Sequence, residues 1–398
     1  MKKVSFAGNK LRHMEDPLFT LSSLENICMN QNRLEDVNPA ITKLTSLTSL
    51  ELCANKLSSF NYNLNLMRLD LSANRFTSLS FAISSLTFLD ISQNDLDSFP
   101  VLDCPNLKQV NASYNDITCI PDQITLLCSL RSCDLSHNNI KELPKGFSLL
   151  TALTMLHLNN NPISGVPPNF SSMRIRKLNA SYTNGFNFGK MDGLKELIYK
   201  GVKVDLLYDD YGSLKNLEHL DVSENHFKSI RATSPSLITL SVNQNQLTQL
   251  IVDTSCAVQK LNARYNQLTS IDPTITTNPK MSFVDLSNNL IESMPLKLDI
   301  PRLQYLNLGF NKLTSIDSDY SRLTNLTHLN ISFNNLVTLS TQISTVTPLQ
   351  TLFIAGNKLT TLPECMSTLT NLKSLHCGEN KFFSFPSVIL TLTSLTKL

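Results

Sequence analysis

A short block of hydrophobic and polar positions recurs along the whole chain. Between Leu66 and Asn74, Leu69 and Leu71 alternate with polar neighbours, which is the two-residue period of a strand with one buried face. An asparagine closes most blocks, and asparagines of neighbouring blocks lie 19 to 23 residues apart. These asparagines are Asn9, Asn32, Asn55, Asn74, Asn94, Asn115, Asn138, Asn161, Asn225, Asn245, Asn266, Asn289, Asn311, Asn334, Asn357 and Asn380.

Each closing asparagine falls where the chain must turn away from its strand. A side-chain amide carries both donors and an acceptor, so it can satisfy backbone groups that the turn leaves unpaired. Repeated in every block, these amides predict a ladder that follows the stacked blocks. We assign this structural role to the asparagines from Asn55 to Asn357 in the series above.

The segments that return from one strand to the next often carry a hydrophobic residue followed by proline. Proline cannot donate to a backbone ladder, and it disfavours helix for the residue before it. We therefore expect extended or 3₁₀ turns on the return side, with few full α-helices. The pairs are Ile120-Pro121, Leu143-Pro144, Val166-Pro167, Met294-Pro295, Leu362-Pro363 and Phe385-Pro386.

The complete block, L-x-x-L-x-L-x-x-N-x-L, resembles the leucine-rich-repeat family, as in Leu303 to Leu313. The resemblance implies a curved right-handed α/β solenoid with a parallel sheet on its concave side. It covers residues 1–398 as about eighteen repeats, with irregular repeats near 183–213 and a truncated repeat at 395–398. The return segment Leu143 to Leu150 looks like the intracellular class, which includes Ras-binding scaffolds, polarity scaffolds, leucine-rich-repeat adenylyl cyclases and leucine-rich-repeat protein phosphatases.

Composition narrows the setting of such a repeat protein. Lysine and arginine number 34 against 32 acids, so there is no net basic field to attract nucleic acid. No apolar run approaches the roughly 18 residues of a membrane span, and the first residues lack the apolar core of a signal peptide. The nine cysteines show no CxxC spacing, which favours reduced thiols. We therefore expect a cytoplasmic protein.

Candidate chemistry is scarce. The segment Gly185 to Lys190 superficially resembles a phosphate-binding loop, but its glycines are separated by three residues, and Met191 stands where serine or threonine is needed. The spacings of hydrolase elbows, zinc proteases and paired metal ligands do not occur. The sequence thus predicts no catalytic residue, no metal site and no cofactor, and a protein that is not an enzyme.

Two consecutive blocks lack the closing asparagine and carry Thr183 and Val202 in its place. Five of the eleven glycines also fall between Thr183 and residue 213. One interpretation is tolerated decay within a long array, because its members are individually replaceable. The other is a hinge or protruding loop that forms part of a binding site. Its exposed side chains would then be Tyr199, Tyr208, Tyr211, Asp209 and Asp210.

Acidic residues repeatedly occupy the slot between the two strand leucines, and a column of carboxylates could attract a basic partner. Aspartate followed by leucine or isoleucine and then serine is also ordinary repeat consensus, so we favour a role in structure and solubility. The acids are Glu51, Asp70, Asp90, Asp134, Asp221 and Asp285.

Aromatic residues are the more informative surface feature. Phe310 and Phe333 occupy the same slot, immediately before the ladder asparagine, in consecutive repeats. Phe353 holds the mid-strand slot of the next repeat, and Phe283 and Tyr305 hold an earlier strand slot. Strands of adjacent coils lie about 4.8 Å apart, so neighbouring rings should meet. These five residues form our candidate protein-binding site. The alternative is that the rings stack among themselves without a partner.

Three single tyrosines, Tyr114, Tyr182 and Tyr265, repeat the pre-asparagine slot elsewhere in the chain. The sequence pattern associates none of them with a neighbouring aromatic ring.

The sequence therefore predicts a non-catalytic scaffold or regulatory sensor that binds a protein, such as a small GTPase or a phosphatase, in intracellular signalling. The alternative is the sensor segment of a larger signalling enzyme whose catalytic domain lies outside this chain. A receptor ectodomain is disfavoured by the absence of clustered cysteines and a signal peptide. Because Met1 and Leu398 both fall inside repeats, we expect either a fragment of a longer protein or ends covered by a partner or by a second copy of the chain.

Overall fold

The computed structural model describes residues 1–204 and 214–398. The chain divides into two compact units, an N-terminal unit of Met1–Val202 and a C-terminal unit of Lys203–Leu398. Each unit is a stack of coils that contribute short parallel strands to one sheet. The predicted solenoid class is confirmed. The boundaries of a single solenoid over 1–398 stay a prediction, and so does the truncated repeat at 395–398.

The sheet of the N-terminal unit is parallel, and each strand pairs with that of the next coil. The middle residue of each strand lies opposite the middle residue of its neighbour, as Leu50 lies opposite Leu69. The strands are Lys3–Ser5, Asn26–Cys28, Ser49–Glu51, Arg68–Asp70, Phe88–Asp90, Gln109–Asn111, Ser132–Asp134, Met155–His157, Lys177–Asn179 and Glu196–Ile198.

The sheet of the C-terminal unit follows the same rule, with Leu306 opposite Leu329. Its strands are His219–Asp221, Thr239–Ser241, Lys260–Asn262, Phe283–Asp285, Tyr305–Asn307, His328–Asn330, Thr351–Phe353 and Ser374–His376. Small parallel pairs form in the return segments of both units. They join Ser80–Ala82 to Val101–Asp103 and Ser229–Ala232 to Gln249–Val252.

Many of the remaining return segments form short 3₁₀ helices, and others, including the one after Met294-Pro295, contain no helix; the proline pairs predicted extended or 3₁₀ turns. Several begin directly after the proline, because its extended backbone ends the preceding segment and its fixed φ suits a helix entry. The 3₁₀ helices are Asp16–Thr20, Pro39–Lys43, Asp122–Leu126, Lys145–Leu149, Phe170–Ser172, Thr341–Thr345, Glu364–Thr368 and Ser387–Thr391. In the described residues, α-helix is confined to Pro273–Thr276, where the side chain of Asp272 accepts a hydrogen bond from the backbone N–H of Thr274.

The core of each unit lies between its sheet and its return segments. In a typical coil, Leu303, Leu306 and Leu308 are almost fully buried, and the corresponding residues of the next coil pack directly on them. Burying such a side chain contributes about 1.5–3 kcal/mol. Because one coil cannot enclose its own leucines, this stabilisation depends on stacking.

The residue before each ladder asparagine adopts a left-handed backbone, which the sequence pattern did not predict. Ala73, Phe310 and Phe333 have φ between +53° and +57°. Such a conformation is uncommon for residues other than glycine and must be held by its surroundings. The next coil supplies that constraint, since the backbone N–H of Phe333 donates to the carbonyl of Ala355 at 2.7 Å.

Candidate functional site

The ladder asparagines make the same hydrogen bonds in coil after coil. The amide nitrogen of Asn266 donates to the carbonyl of Val242 in the preceding coil and to that of Ala263 in its own, both at 3.0 Å. Its oxygen accepts from the backbone N–H of Leu247 at 3.0 Å. The arrangement recurs at Asn55, Asn74, Asn94, Asn115, Asn138, Asn161, Asn245, Asn289, Asn311, Asn334 and Asn357.

Asn225 follows the same geometry within its own coil. Its amide nitrogen donates to the carbonyls of Val222 at 3.0 Å and Ser223 at 3.1 Å. At the other ladder positions, the bonds to the preceding coil, such as that from Asn266 to Val242, tie adjacent coils together at the buried turn.

The two irregular coils satisfy their turns differently. Thr183 is buried, and its hydroxyl donates to the carbonyl of Ala180 at 2.9 Å, which replaces one of the bonds that asparagine would make. Val202 is buried as an apolar side chain. Both coils therefore keep their turn inside the core.

Tyr199 is not part of an exposed loop, and that expectation was wrong. Its side chain is fully buried, its ring packs edge-on against Phe186 and Phe188, and its hydroxyl donates to the carbonyl of Phe186 at 3.3 Å. The tyrosine fills core space in a coil that has fewer leucines. Tyr208, Tyr211, Asp209 and Asp210 lie outside the described residues.

Acids of the mid-strand slot cap the turn that follows them. The Oδ1 atom of Asp70 accepts from the backbone N–H of Ser72 at 3.0 Å and from its hydroxyl at 2.6 Å. Asp90, Asp134, Asp221 and Asp285 make the same two bonds with the serine two residues on. Asparagine serves equally, because Asn330 accepts from Ser332 in the same way. This geometry supports the structural interpretation of the column.

Three stacked pairs of rings lie on the outward side of the C-terminal unit's sheet, which we call the aromatic face. The first pair is Phe283 and Tyr305, whose ring centroids are 4.5 Å apart with planes 6° from parallel. These residues are directly opposite in the sheet register. Both are half-buried, so the pair offers rigid apolar surface together with a phenolic hydroxyl.

The second pair is Phe310 and Phe333, stacked at 4.4 Å with planes 12° apart. They are 49% and 39% exposed, which is high for phenylalanine in a folded protein. Gly356 occupies the same slot in the next coil with φ +66°. A Cβ atom there would lie 2.4 Å from Cδ1 of Phe333, so the glycine is what lets that ring lie flat over the next coil.

The third pair joins Phe353 to His376, stacked at 4.4 Å with planes 12° apart. His376 was not among the predicted site residues, although its place in the mid-strand slot one repeat after Phe353 was a usable signal. The structure thus brings the five predicted residues together as two complete pairs, with Phe353 paired to a histidine. The alternative of mutual stacking is therefore observed, while the exposed faces remain available for a partner.

A shallow depression adjoins the first pair. Its volume is about 370 Å³, and its floor is the sheet itself. It is lined by Thr239, Leu240, Ser241, Lys260, Leu261, Asn262 and Phe283. An aromatic wall and a largely apolar lining are suited to an apolar side chain that protrudes from a partner protein.

A fourth stack lies in the N-terminal unit, where Tyr114 was expected to stand alone. Its ring lies 4.0 Å from that of His137, with planes 10° apart. The Nε2 atom of His137 is in turn 3.2 Å from the amide nitrogen of Asn160. All three residues occupy the pre-asparagine slot of successive coils. The sequence pattern predicted aromatic neighbours only among phenylalanine and tyrosine, so it did not include His137.

Over residues 1–204 and 214–398, no group of three or more His, Cys, Asp and Glu side chains is placed to hold a metal ion. Of the helices in those two ranges, none has the length and apolar character that crossing a membrane would require.

Family models for leucine-rich repeats match two stretches of the chain, residues 105–163 and 301–346. The chain belongs to the leucine-rich-repeat superfamily. Its fold is similar to that of a leucine-rich-repeat protein from Leptospira interrogans, with a TM-score of 0.73, 22% identity and coverage of 99% of this chain and 94% of that one. YopM from Yersinia enterocolitica has a TM-score of 0.66 and 24% identity, covering 98% and 81%. At these identities the likeness concerns the fold alone.

Characterised leucine-rich-repeat relatives match only in part. Bovine mimecan is 32% identical over 117 residues, which is 28% of this chain and 38% of mimecan. Toll-like receptor 2 of Bison bison is 32% identical over 107 residues, 25% of this chain and 14% of the receptor. Mouse leucine-rich repeat serine/threonine-protein kinase 1 is 31% identical over 144 residues, 32% of this chain and 7% of the kinase. The chain thus spans well under two thirds of each relative.

Proposed function

We propose that this leucine-rich-repeat protein is a non-catalytic recognition module that binds a partner protein through its aromatic face. The observation that carries the proposal is the exposed Phe310–Phe333 stack. Exposed aromatic side chains on a soluble protein are the usual anchors of protein interfaces, because they bury much apolar area with few rotatable bonds. In this reading, the protein acts inside the cell as a scaffold or regulatory sensor in signalling.

Preorganisation strengthens this argument. Stacking restrains both rings, and the flat approach to Gly356 restrains Phe333 further. A partner then binds rings that have already lost most of their conformational freedom, so less entropy opposes association. The depression beside Phe283 and the Phe353–His376 pair extend the same face over several coils.

A second candidate function is the sensor segment of a larger signalling enzyme. The partial match to leucine-rich repeat serine/threonine-protein kinase 1 favours it, because that relative joins such repeats to a catalytic region according to its name. The recognition role of the aromatic face is common to both candidates. Sequencing the transcript beyond the codon for Leu398 distinguishes them, since a catalytic domain encoded there supports the second.

The double substitution Phe310→Ser and Phe333→Ser tests the proposal. Proximity labelling and affinity capture identify partners of the wild-type protein, and binding of each purified partner is then measured by calorimetry. We expect the double variant to lose binding, since buried aromatic anchors contribute about 2 kcal/mol or more each. Thermal melting should barely change, because the rings lie outside the core.

The matched control is Leu296→Ser with Val337→Ser, which removes exposed apolar side chains from the same unit without touching the rings. Retained binding by the double phenylalanine variant would refute the aromatic face as the site. Microscopy of the tagged protein in its own cells tests the intracellular assignment separately.

A further inference from the structure

Basic side chains follow the edge of the N-terminal unit at which the sheet strands begin. Lys108, Arg131, Arg176 and Lys195 each immediately precede the first residue of a strand, and Thr154 holds that position in the coil between Arg131 and Arg176. Backbone bonds of 2.8–2.9 Å join the five positions in order, from the N–H of each to the carbonyl of the one before. Neighbouring positions are therefore about 4.8 Å apart. We call this line the basic edge.

The cations of the basic edge are exposed. Within residues 1–204 and 214–398, Lys108, Arg131 and Arg176 have no carboxylate within ion-pairing distance. Elsewhere in the same unit, Lys177 does pair with Glu196 at 2.8 Å. The positive charges of Lys108, Arg131 and Arg176 are thus available to a partner.

The basic edge leads into a cleft of about 400 Å³. Arg176 belongs to both, and Arg174 and Lys190 add two more cations to the cleft wall beside the hydroxyls of Ser171 and Ser172. One acid, Asp192, shares the cleft, with its Oδ1 3.8 Å from the ammonium of Lys190. Three cations therefore face one carboxylate.

The glycine-rich turn before Lys190 shapes this cleft. Gly189 has φ +65°, and its N–H donates to the side chain of Asn187 at 2.7 Å. A Cβ atom on Gly189 would lie 3.0 Å from that of Ser171, so only glycine allows the turn to approach so closely. The spacing of its glycines does not match a phosphate-binding loop. The turn nevertheless places Lys190 in the same cleft as two arginines.

Local charge agrees with this geometry. The basic edge and its cleft together carry six lysines and arginines, and Asp192 is the one acid that lines the cleft. Opposite charge across an interface steers association and sets specificity. We propose that the basic edge and its cleft bind an extended acidic segment of a partner protein, a surface separate from the aromatic face.

The shape of the charged surface favours a peptide chain over broader polyanions. Two carboxylates flank the basic edge on the side of the sheet. They belong to Asp134, on the strand that follows Arg131, and to Glu196, on the strand that follows Lys195. The positive surface is therefore narrow, which disfavours a flat anionic membrane. Sequence-independent binding of a nucleic-acid strand relies on aromatic platforms in a basic groove, and the residues that line this cleft are not aromatic.

A fluorescent peptide of alternating glutamate and serine tests the proposal. About eight residues suffice to span the five coils at about 3.3 Å per residue. Binding to the full chain is measured by fluorescence anisotropy at low ionic strength and at about 0.15 M, where screening should weaken it. We expect Lys108→Gln with Arg131→Gln, and Arg174→Gln with Arg176→Gln, each to weaken binding about tenfold.

The matched control, Lys358→Gln with Lys381→Gln, removes two exposed lysines of adjacent coils in the C-terminal unit. It should change affinity less than about twofold. Charge reversal, Lys108→Glu with Arg131→Glu, should instead confer binding of a lysine–serine peptide. Thermal melting checks that each variant is folded.

Three results would overturn the proposal. The first is absence of wild-type binding at low ionic strength, and the second is an equal loss in the control variant. The third is that polyuridylate or phosphatidylserine vesicles bind at the same residues more tightly than the acidic peptide. Because the phenylalanine variants leave the basic edge intact, failure here is distinguishable from failure of the aromatic face.

Discussion

The N-terminal and C-terminal units build their sheets from the same block but present different chemistry to solvent. In the N-terminal unit, consecutive mid-strand positions carry Glu51, Asp70 and Asp90. In the C-terminal unit, stacked rings occupy several outward positions, as in the Phe283–Tyr305 pair. The inward leucines and the ladder amides are common to both units.

The difference shows which positions of a coil are free to vary. An inward leucine contacts the cores of both neighbouring coils, so its replacement disturbs three coils at once. An outward side chain mainly meets the same slot of the next coil, as Phe310 meets Phe333. The exposed side chains can therefore change from one group of coils to another while the buried leucines and ladder amides stay the same.

Removing a ladder amide from each unit tests whether the buried leucines and ladder amides stabilise both units in the same way. This change should have the largest effect on stability. Asn138→Ala and Asn266→Ala each leave buried backbone groups unpaired, so we expect each to lower the free energy of unfolding by about 3 kcal/mol. Asn9 is exposed and serves as the control, because Asn9→Ala should cost much less. Equal melting shifts for all three variants would refute the ladder account.

Alanine at the glycines beneath the rings should have an intermediate effect. Gly356 lies under Phe333 and Gly201 under Tyr182, where an added Cβ would approach the ring to 2.4 and 2.3 Å. Both have positive φ, so we expect Gly356→Ala and Gly201→Ala to cost about 1–2 kcal/mol each by chemical denaturation.

Two other glycines separate the causes in that experiment. Gly8 has φ +72° with open space around it, so Gly8→Ala measures backbone strain alone. Gly378 also has open space but no positive φ, and Gly378→Ala should be nearly neutral. If Gly8→Ala matches Gly356→Ala, the ring contact adds nothing, and the preorganisation argued for the aromatic face fails.

The smallest effect concerns pH and has opposite signs at two aspartates. Burial raises the pKa of Asp70, and the charge of Asp90 raises it further against the hydrogen bonds from Ser72. The pKa of Asp70 is therefore higher in the folded state than in the unfolded state. The contribution of Asp70 to stability is present below the ordinary pKa of 3.8, and it is lost as the pH rises through the pKa of the folded state. Asp70→Asn should therefore raise the melting temperature slightly at neutral pH.

Asp253 in the C-terminal unit provides the opposite case. The backbone hydrogen bond from Ser255 lowers the pKa of Asp253 below its ordinary 3.8. Its contribution is present above 3.8 and is lost as pH falls through the folded value, so Asp253→Asn should lower the melting temperature at neutral pH. Melting curves recorded from acid to neutral pH check both signs. A shift of the same sign for both variants would contradict this assignment.

Local pattern was sufficient for much of the fold and part of the candidate site. The alternation around Leu69 placed a strand, and the proline after Leu143 placed a 3₁₀ segment, because both follow from backbone geometry over a few residues. The shared slot of Phe310 and Phe333 likewise predicted neighbouring rings, since equal positions of adjacent coils align. Because the repeat length is nearly constant, residues one repeat apart in the sequence are neighbours in the structure.

Other features depend on contacts that no local pattern contains. Tyr199 occupies an inward slot that other coils fill with leucine, and its packing against Phe186 and Phe188 depends on contacts outside the strand. The left-handed backbone of Phe333 is held by the hydrogen bond that its N–H donates to the carbonyl of Ala355 in the following coil. The shared slot of Phe353 and His376 was available from the sequence, but the stacked orientation of their rings was not.

The sequence by itself determined the repeat, the direction in which each strand side chain points and the identity of the residue in every slot. Those properties follow from periodicity, because the chain must bury its leucines and turn at its asparagines. Only the tertiary structure decided which slots are exposed, which rings stack and which cations have no carboxylate within ion-pairing distance among the described residues, as at Arg131 and Arg176. The physical reason is that burial and pairing are properties of stacked coils, and the contacts that set them join residues some twenty positions apart.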